Sequence, residues 1–352
     1  MWPLVASTLA ALLGTSATGS PSGAAALRAR QPLPGVWISR DEIRALPTTG
    51  SAWQALKRAA DEPLGTPEIG ARDDDVDVQI LAKALVHVRT GEPRYRVEVS
   101  SGIVTAMGSE NRGDVLSLAR NLPGYVIAAD LVGLDPAIER FFRAWLKDLQ
   151  TRELEGGSLR AIHEKRPNNW GTHAGGSRAV IARYLDDWDE LERVATVFHG
   201  WLGDRSAYAG FDFGKLSWQS DPAHPLGINP KGATKEGHSI DGVLPDDQRR
   251  SGDFSWPPAH ENYVYEALQG ALLQAVVLSR AGYDVWNWED RALLRAFQWL
   301  DRQADFPAEG DDSWQPHVIN HFYQASLRAV IPAQPGKNVG WTDWTHARRS
   351  GR

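Results

Sequence analysis

The sequence predicts an all-α protein built from antiparallel helix pairs, with one long ordered loop region laid over a side of the helical body. Three observations carry this. Apolar residues recur at helical spacing in segment after segment. Very short links join several of these segments, which makes the joined helices antiparallel neighbours. No alternating stretch is long or frequent enough to support a large sheet.

Taken in order, the chain opens with "MWPLVASTLAALLGTSATGSPSGAAALRAR", an apolar run followed by small and polar residues. This resembles a secretory signal peptide over residues 1–26, with cleavage near Ala17 or after Ala26, although no Lys or Arg precedes the apolar run. A periplasmic or secreted protein is expected, its one domain spanning 27–352. Ser39 is placed to cap a short helix beginning "RDEIR". "VDVQILAKALVHVRTGEP" sets Val78, Leu81, Ala82, Leu85 and Val88 on one stripe and stops at Gly91 and Pro93. "DVLSLARNLPGYVIAADLVG" and "PAIERFFRAWLKDLQTREL" form a helical pair, as do "SRAVIARYLDD" and "WDELERVATVFHGWLG". "NYVYEALQGALLQAVVLSRAG" and "WEDRALLRAFQWLDRQA" repeat the arrangement. From Gly203 to Glu261 the chain is dense in Gly, Pro, Asp and His, but Phe211, Phe213, Trp218 and Trp256 predict an ordered loop system.

The formal charge of −6 argues against a nucleic-acid partner and leaves an acidic substrate open, since that needs only a locally positive cleft. No cysteine is present, so disulfides, thiolate metal sites and a cysteine nucleophile are excluded. No stretch after the N-terminus approaches about 20 apolar residues, so no membrane span is expected. Fifteen tryptophans fill cores for the most part, yet their flat faces also suit sugar rings, and the excess favours a carbohydrate groove.

Two clusters can carry chemistry. In "RPNNWGTHAGGSR", Asn169 and His173 stand one helical turn apart, and Gly171, Gly175 and Gly176 let a backbone or a ligand approach. A carboxamide beside an imidazole can bind a carboxylate and help move a proton. The plainer alternative has Asn168 as a helix cap, His173 as an interior histidine and the glycines as helix-packing sites. In "DGVLPDDQRRSGDFSWPPAHENYVYEAL", Arg249 and Arg250 offer forks for a carboxylate. Tyr263 and Tyr265 are two apart, so on a helix at least one must leave the core. No phosphate loop, dinucleotide fingerprint, nucleophile elbow or H-E-x-x-H is present. The ten histidines are scattered, and neither a metal site nor a cofactor is expected.

These same stretches carry a family resemblance. "DGVLPDDQRR…ENYVYEAL" resembles the corresponding stretch of the alginate lyase superfamily, and "NNWGTH" is similar to its Asn-Asn-His or Asn-Trp active-site segment. The likeness runs from about Gly35 onward, strongest in 166–203 and 238–305, and is closest to polysaccharide lyase families 5 and 38. It implies an (α/α) toroid with a long substrate cleft. It also implies that Asn169 and Arg250 neutralise a uronate carboxylate and that Tyr263 handles the proton. In family 5 a histidine directly follows the asparagine. Here Trp170 stands there, so the histidine stays open between His173, His199, His238 and His260.

The expected activity is β-elimination on a 4-linked polyuronate, either alginate or glucuronan. Asn169, Arg250 and His173 would stabilise the enolate-like intermediate while Tyr263 takes the C5 proton and returns one to O4. Asn168, Trp170, Trp218, His238, Arg249, His260 and Tyr265 are the expected substrate contacts, and the protein is expected to act as a monomer. Two rivals stand beside this. One is an inverting glycosidase using a pair among Asp246, Asp247, Glu261 and Glu266. The other is an inert polysaccharide-binding protein using Trp170, Trp218 and Trp256.

Overall fold

The structure is a computed structural model describing residues 29–348. The expected signal peptide lies outside these residues. The protein is mostly helical, and the one sheet among the described residues is the antiparallel pair β1 (Thr234–Lys235) and β2 (His238–Ser239).

Local signals set the helix ends. Helix α1 (Arg40–Arg44) begins with a reciprocal cap: Ser39 Oγ accepts from the Glu42 N–H at 3.2 Å, and Glu42 accepts from the Ser39 N–H at 2.8 Å. After α2 (Ser51–Asp61), helix α3 (Val76–Thr90) stops at Gly91, whose φ of 77° is the left-handed turn that glycine adopts without strain. Helix α4 (Pro93–Ala106) starts on a proline, and α5 (Val115–Val132) is capped by Asp114. The second half brings α6 (Pro136–Leu149), α7 (Leu159–Lys165), α8 (Asn169–Leu185) and α9 (Trp188–Leu202). Beyond the loop region come α10 (Pro245–Gln248), α11 (Tyr263–Arg280), α12 (Trp288–Arg302), α13 (Gln315–Tyr323) and α14 (Thr342–Thr345).

Helices α3, α5, α8 and α11 pack in succession, α3 on α5, α5 on α8 and α8 on α11. Helices α2 and α4 cover α3, α7 and α9 cover α8, and α12 and α13 adjoin α9 and α11. One hydrophobic cluster runs through the succession, from Val36 to Trp344. Helix α5 is long and apolar enough to cross a membrane by composition, yet nearly all of it is buried against α3 and α8. The tryptophans follow the plainer expectation: none of those described is exposed, and Trp37, Trp218 and Trp314 are among the largest fully buried side chains.

The region from Gly203 to Glu261 is irregular but tied down. Arg295 of α12 donates to the Asn229 carbonyl at 2.8 Å and to Asp241 at 2.5 Å, and Trp299 Nε1 donates to the Ser239 carbonyl. Trp218, buried to 1% exposure, donates to the Gly252 carbonyl. It anchors the loop from inside and is not a sugar platform.

Gly175 and Gly176 of the α8 stretch are spent on helix contact, the plainer of the two readings, and not on the approach of a ligand. A Cβ on Gly176 would lie 2.8 Å from Leu273 of α11, and one on Gly175 would lie 2.5 Å from Gln274. From the other side, a Cβ on Gly270 would come within 2.3 Å of the Thr172 carbonyl carbon. The two backbones are therefore in direct contact, and Gln274 Nε2 donates across to the Thr172 carbonyl at 3.0 Å. Gly270→Ala should destabilise the fold by about 1–3 kcal/mol, because alanine's helix preference of about 1 kcal/mol cannot offset a clash with backbone. Urea denaturation measures this, and an unchanged midpoint would mean that α8 and α11 are not locked together.

Candidate active site

The first turn of α8 is held from outside by the acidic pair of α10. Asn168 is the N-cap, its Oδ1 accepting from the Trp170 N–H at 3.2 Å, while its Nδ2 donates to Asp246 at 3.3 Å. Asp247 Oδ1 accepts from the Asn169 N–H at 3.1 Å. Carboxyl groups against a helix N-terminus satisfy its free N–H groups and complement its dipole. Burial pushes the Asp247 carboxyl well above the ordinary range; the Asn169 N–H opposes the shift and the neighbouring Asp246 charge adds to it. Arg249 is committed to Asp246, by Nε at 2.8 Å and Nη2 at 3.2 Å. Its fork is filled by protein, so the expected substrate contact at Arg249 is replaced by an internal ion pair.

Against this clamp Asn169, Arg250 and Tyr263 come together. Arg250 Nη1 donates to Asn169 Oδ1 at 3.2 Å, and its guanidinium lies 3.5 Å from the centre of the Tyr263 ring. Asn169 is fully buried beneath them, and its Nδ2 has no hydrogen-bond partner. Tyr263 opens α11 at 39% exposure, whereas Tyr265, two residues on, is buried and donates to the Phe306 carbonyl at 2.6 Å. Burial also pushes the Tyr265 phenol far up. The spacing argument holds, and it leaves Tyr265 in the core and out of any cleft. Arg72 reaches the same side: Asp114 binds it at 2.5 Å, and it is close enough to Tyr263 for their charges to interact.

One turn deeper lies His173, also fully buried, with Nε2 at 3.7 Å from Glu266 of α11 and no hydrogen bond to either ring nitrogen. Glu266 forms a buried ion pair with Arg120 of α5 and accepts the Lys337 ammonium at 3.2 Å. Burial lowers His173 to about 4, with Glu266 acting against the shift and Arg120 with it. Burial alone would raise Glu266, but its contacts with His173, Arg120 and Lys337 bring it down to about 2. At neutral pH a neutral imidazole therefore faces an ionised carboxylate. Lys337 is itself held in place, since its backbone N–H donates to Gln269 Oε1 at 3.0 Å.

No protein-family model and no curated protein matches the chain.

The remaining expected contacts fall elsewhere. His260 stacks on Phe306 and bonds the Ala304 carbonyl at 3.0 Å, while His238 stacks on Trp256 with ring centres 4.4 Å apart. His199 lies between Glu289 and Asp204. Of the four histidines only His173 adjoins the Asn169 turn. Trp170 is half-buried on that turn, over Gly156. A cavity of about 1060 Å³ lies at the other end of α11, beside Ser279, Arg280, Phe322 and His346. At 1.5 Å per residue that is roughly 25 Å from Tyr263 along the helix. The convergence of unspent polar groups, and not that cavity, marks the candidate site. The sequence reading missed Arg120, Lys337 and Arg72 and weighed Glu266 only as a glycosidase acid. A lone arginine inside the apolar "VLSLARNLPGYVIAADLV" was the signal for the first.

Stability should fall in acid, because both His173 and Glu266 titrate lower in the fold than in the unfolded chain. Folded His173 titrates near 4 against an ordinary 6.5, so between those values the unfolded chain holds more protons and stability drops as pH falls. Glu266, near 2 against an ordinary 4.5, continues the loss at lower pH. His173→Gln should flatten the upper part of this dependence in urea denaturation at the two ends of that window. Equal losses in parent and variant would refute the assignment.

Proposed function

We propose that the chain is a polysaccharide lyase that cleaves a 4-linked polyuronate by β-elimination. In this reading the succession α3, α5, α8 and α11 forms the inner ring of an (α/α) toroid, with α2, α4, α9 and α12 outside. The observation that carries the proposal is the Asn169–Arg250–Tyr263 contact: an exposed phenol under a guanidinium, beside a buried carboxamide whose donor is unspent.

The chemistry needs those groups. The C5 proton of a uronate is hard to remove while the adjacent carboxylate is ionised. Donors that bind the carboxylate more strongly as charge flows onto it lower that barrier. The Arg250 fork and Asn169 Nδ2 supply such donors. Because Arg250 covers Asn169, substrate entry requires its exposed side chain to turn off the Tyr263 ring. Tyr263, as phenolate beside Arg250 and Arg72, then takes the C5 proton. The C5 electrons form the C4=C5 bond, the C4–O4 bond breaks, and the proton passes to O4. Mannuronate and glucuronate carry the C5 proton and the O4 leaving group on the same face, so one tyrosine serves both steps. No metal or organic cofactor takes part in this sequence. His173 and Glu266 act from beneath, and we assign them to positioning the Asn169 turn.

The rivals find less support. Asp246 is committed to Arg249, Asn168 and the Gly214 N–H, and Asp247 is buried beneath Asn169, so neither is placed as a glycosidase acid. A stacking role for Trp218 is excluded by its burial.

A panel of polymannuronate, polyguluronate, glucuronan and hyaluronan tests the proposal through the ultraviolet absorbance of the conjugated C4=C5 bond. New reducing ends without that absorbance would overturn it. Tyr263→Phe should lower kcat by about 10²–10⁴-fold with little change in binding, whereas Tyr265→Phe should keep activity and lose about 1 kcal/mol of stability. Arg250→Ala should cost about 10²-fold in turnover. Arg249→Ala should instead cost about 1–3 kcal/mol of stability, because it strips a partner from buried Asp246. Kinetics and melting on the same preparations separate these outcomes.

A further inference from the structure

Two carboxylates converge on one imidazole outside the candidate active site. His199 stands in the last turn of α9, Asp204 follows just beyond it, and Glu289 comes from the first turn of α12. His199 Nε2 lies 3.2 Å from Glu289 Oε1, and Nδ1 lies 3.6 Å from Asp204 Oδ2. One donor atom from each of the three falls within 4.8 Å of the others. Among the described residues no lysine or arginine pairs with either carboxylate, and His199 Nδ1 is buried with no hydrogen-bond partner.

The surroundings hold these three groups in place. Asp204 spends Oδ1 on the Ser206 and Ala207 N–H groups and the Ser206 hydroxyl, which leaves Oδ2 turned to the imidazole. Trp288 stacks on His199 with ring centres 4.5 Å apart and fixes the ring. Gly203 leaves room, since a Cβ there would sit 3.3 Å from the Glu289 carboxylate. Glu289, Asp290 and Arg291 all take left-handed backbone, and Arg295 secures that turn through the Glu289 and Asp290 carbonyls. The three side chains remain 13%, 34% and 30% exposed for His199, Glu289 and Asp204, so an ion can enter from solvent.

We propose that His199, Asp204 and Glu289 form a divalent-cation site. Two carboxylates that no described lysine or arginine pairs with meet one imidazole, a donor set whose negative charge a divalent cation would neutralise. A mixed nitrogen and oxygen set suits Zn²⁺ or Mn²⁺ better than Mg²⁺ or Ca²⁺, which favour all-oxygen shells. The bound ion joins the end of α9, the start of the loop region and the start of α12. The site is independent of the lyase reading, because none of its ligands touches Asn169, Arg250 or Tyr263.

The test uses the full chain after treatment with a chelator. Zn²⁺ and Mn²⁺ are titrated by calorimetry, with Mg²⁺ and Ca²⁺ for comparison, and melting is followed with and without ion. The expected result is one equivalent bound and a higher Tm with Zn²⁺ or Mn²⁺. His199→Ala and Glu289→Gln should each weaken affinity at least about tenfold. His224→Ala, which alters the exposed His224–Asp221 pair at 2.7 Å, should leave it unchanged. If His199→Ala does not fold by circular dichroism, Asp204→Asn and Glu289→Gln carry the test, with the visible absorbance of bound Co²⁺ as a second readout. No ion at this stoichiometry, or affinity unaltered by Glu289→Gln, would overturn the site and leave His199 bridging Asp204 and Glu289 within the protein.

Discussion

Close backbone contact between α8 and α11 is the constraint on which the candidate site depends. It exists because Gly175, Gly176 and Gly270 present no side chain where the helices meet. Any larger residue at those positions would push the helices apart by more than packed interiors tolerate. With the contact made, the N-terminal parts of α8 and α11 bring His173 against Glu266 and set Asn169 and Tyr263 within reach of Arg250.

The electrostatics follow from that proximity. A carboxylate as buried as Glu266 persists in ionised form only because Arg120 and Lys337 bind it, and those cations come from α5 and from the chain beyond α13. His173, buried beside the same cations, cannot hold a proton near neutrality. The α8 N-terminus is fixed by a second polar group, Asp246 and Asp247, whose own stability rests on Arg249 and the Asn169 N–H. The polar interior thus divides into groups that satisfy one another and groups that do not, Asn169 Nδ2 and the His173 nitrogens among the latter. What sets the Asn169 turn apart is that its unspent donor lies directly beneath the exposed Arg250 and Tyr263.

The long loop region owes its order to contacts with α12 made by Arg295 and Trp299, and to the inserted Trp218. Order there serves two separate parts of the molecule. It presents α10 and Arg250 to α8, and it starts at the turn that brings Asp204 to His199. A helical body thereby displays two separate polar groups, Asn169 with Arg250 and Tyr263, and His199 with Asp204 and Glu289.

The sequence by itself determined what depends on near neighbours along the chain. The Ser39 and Asn168 caps, the stop at Gly91, the helix pairs and the opposed faces of Tyr263 and Tyr265 were all legible, because capping and periodicity act within a turn or two. The gathering of Asn169, Arg250 and Tyr263 was anticipated from the residues and a family resemblance, with the neighbouring histidine left open. Only the tertiary structure decided which polar groups remain unspent. Arg249 and Arg250 are adjacent and chemically alike, yet one is consumed by Asp246 and the other caps Tyr263. Trp218 looked suited to a sugar and the α8 glycines to either a ligand or a helix, and all of them build the interior. Glu266 with Arg120, and His199 with Glu289, are partners far apart in sequence. Whether a side chain is a free donor or a satisfied one depends on what long-range packing sets beside it, and no local pattern encodes that.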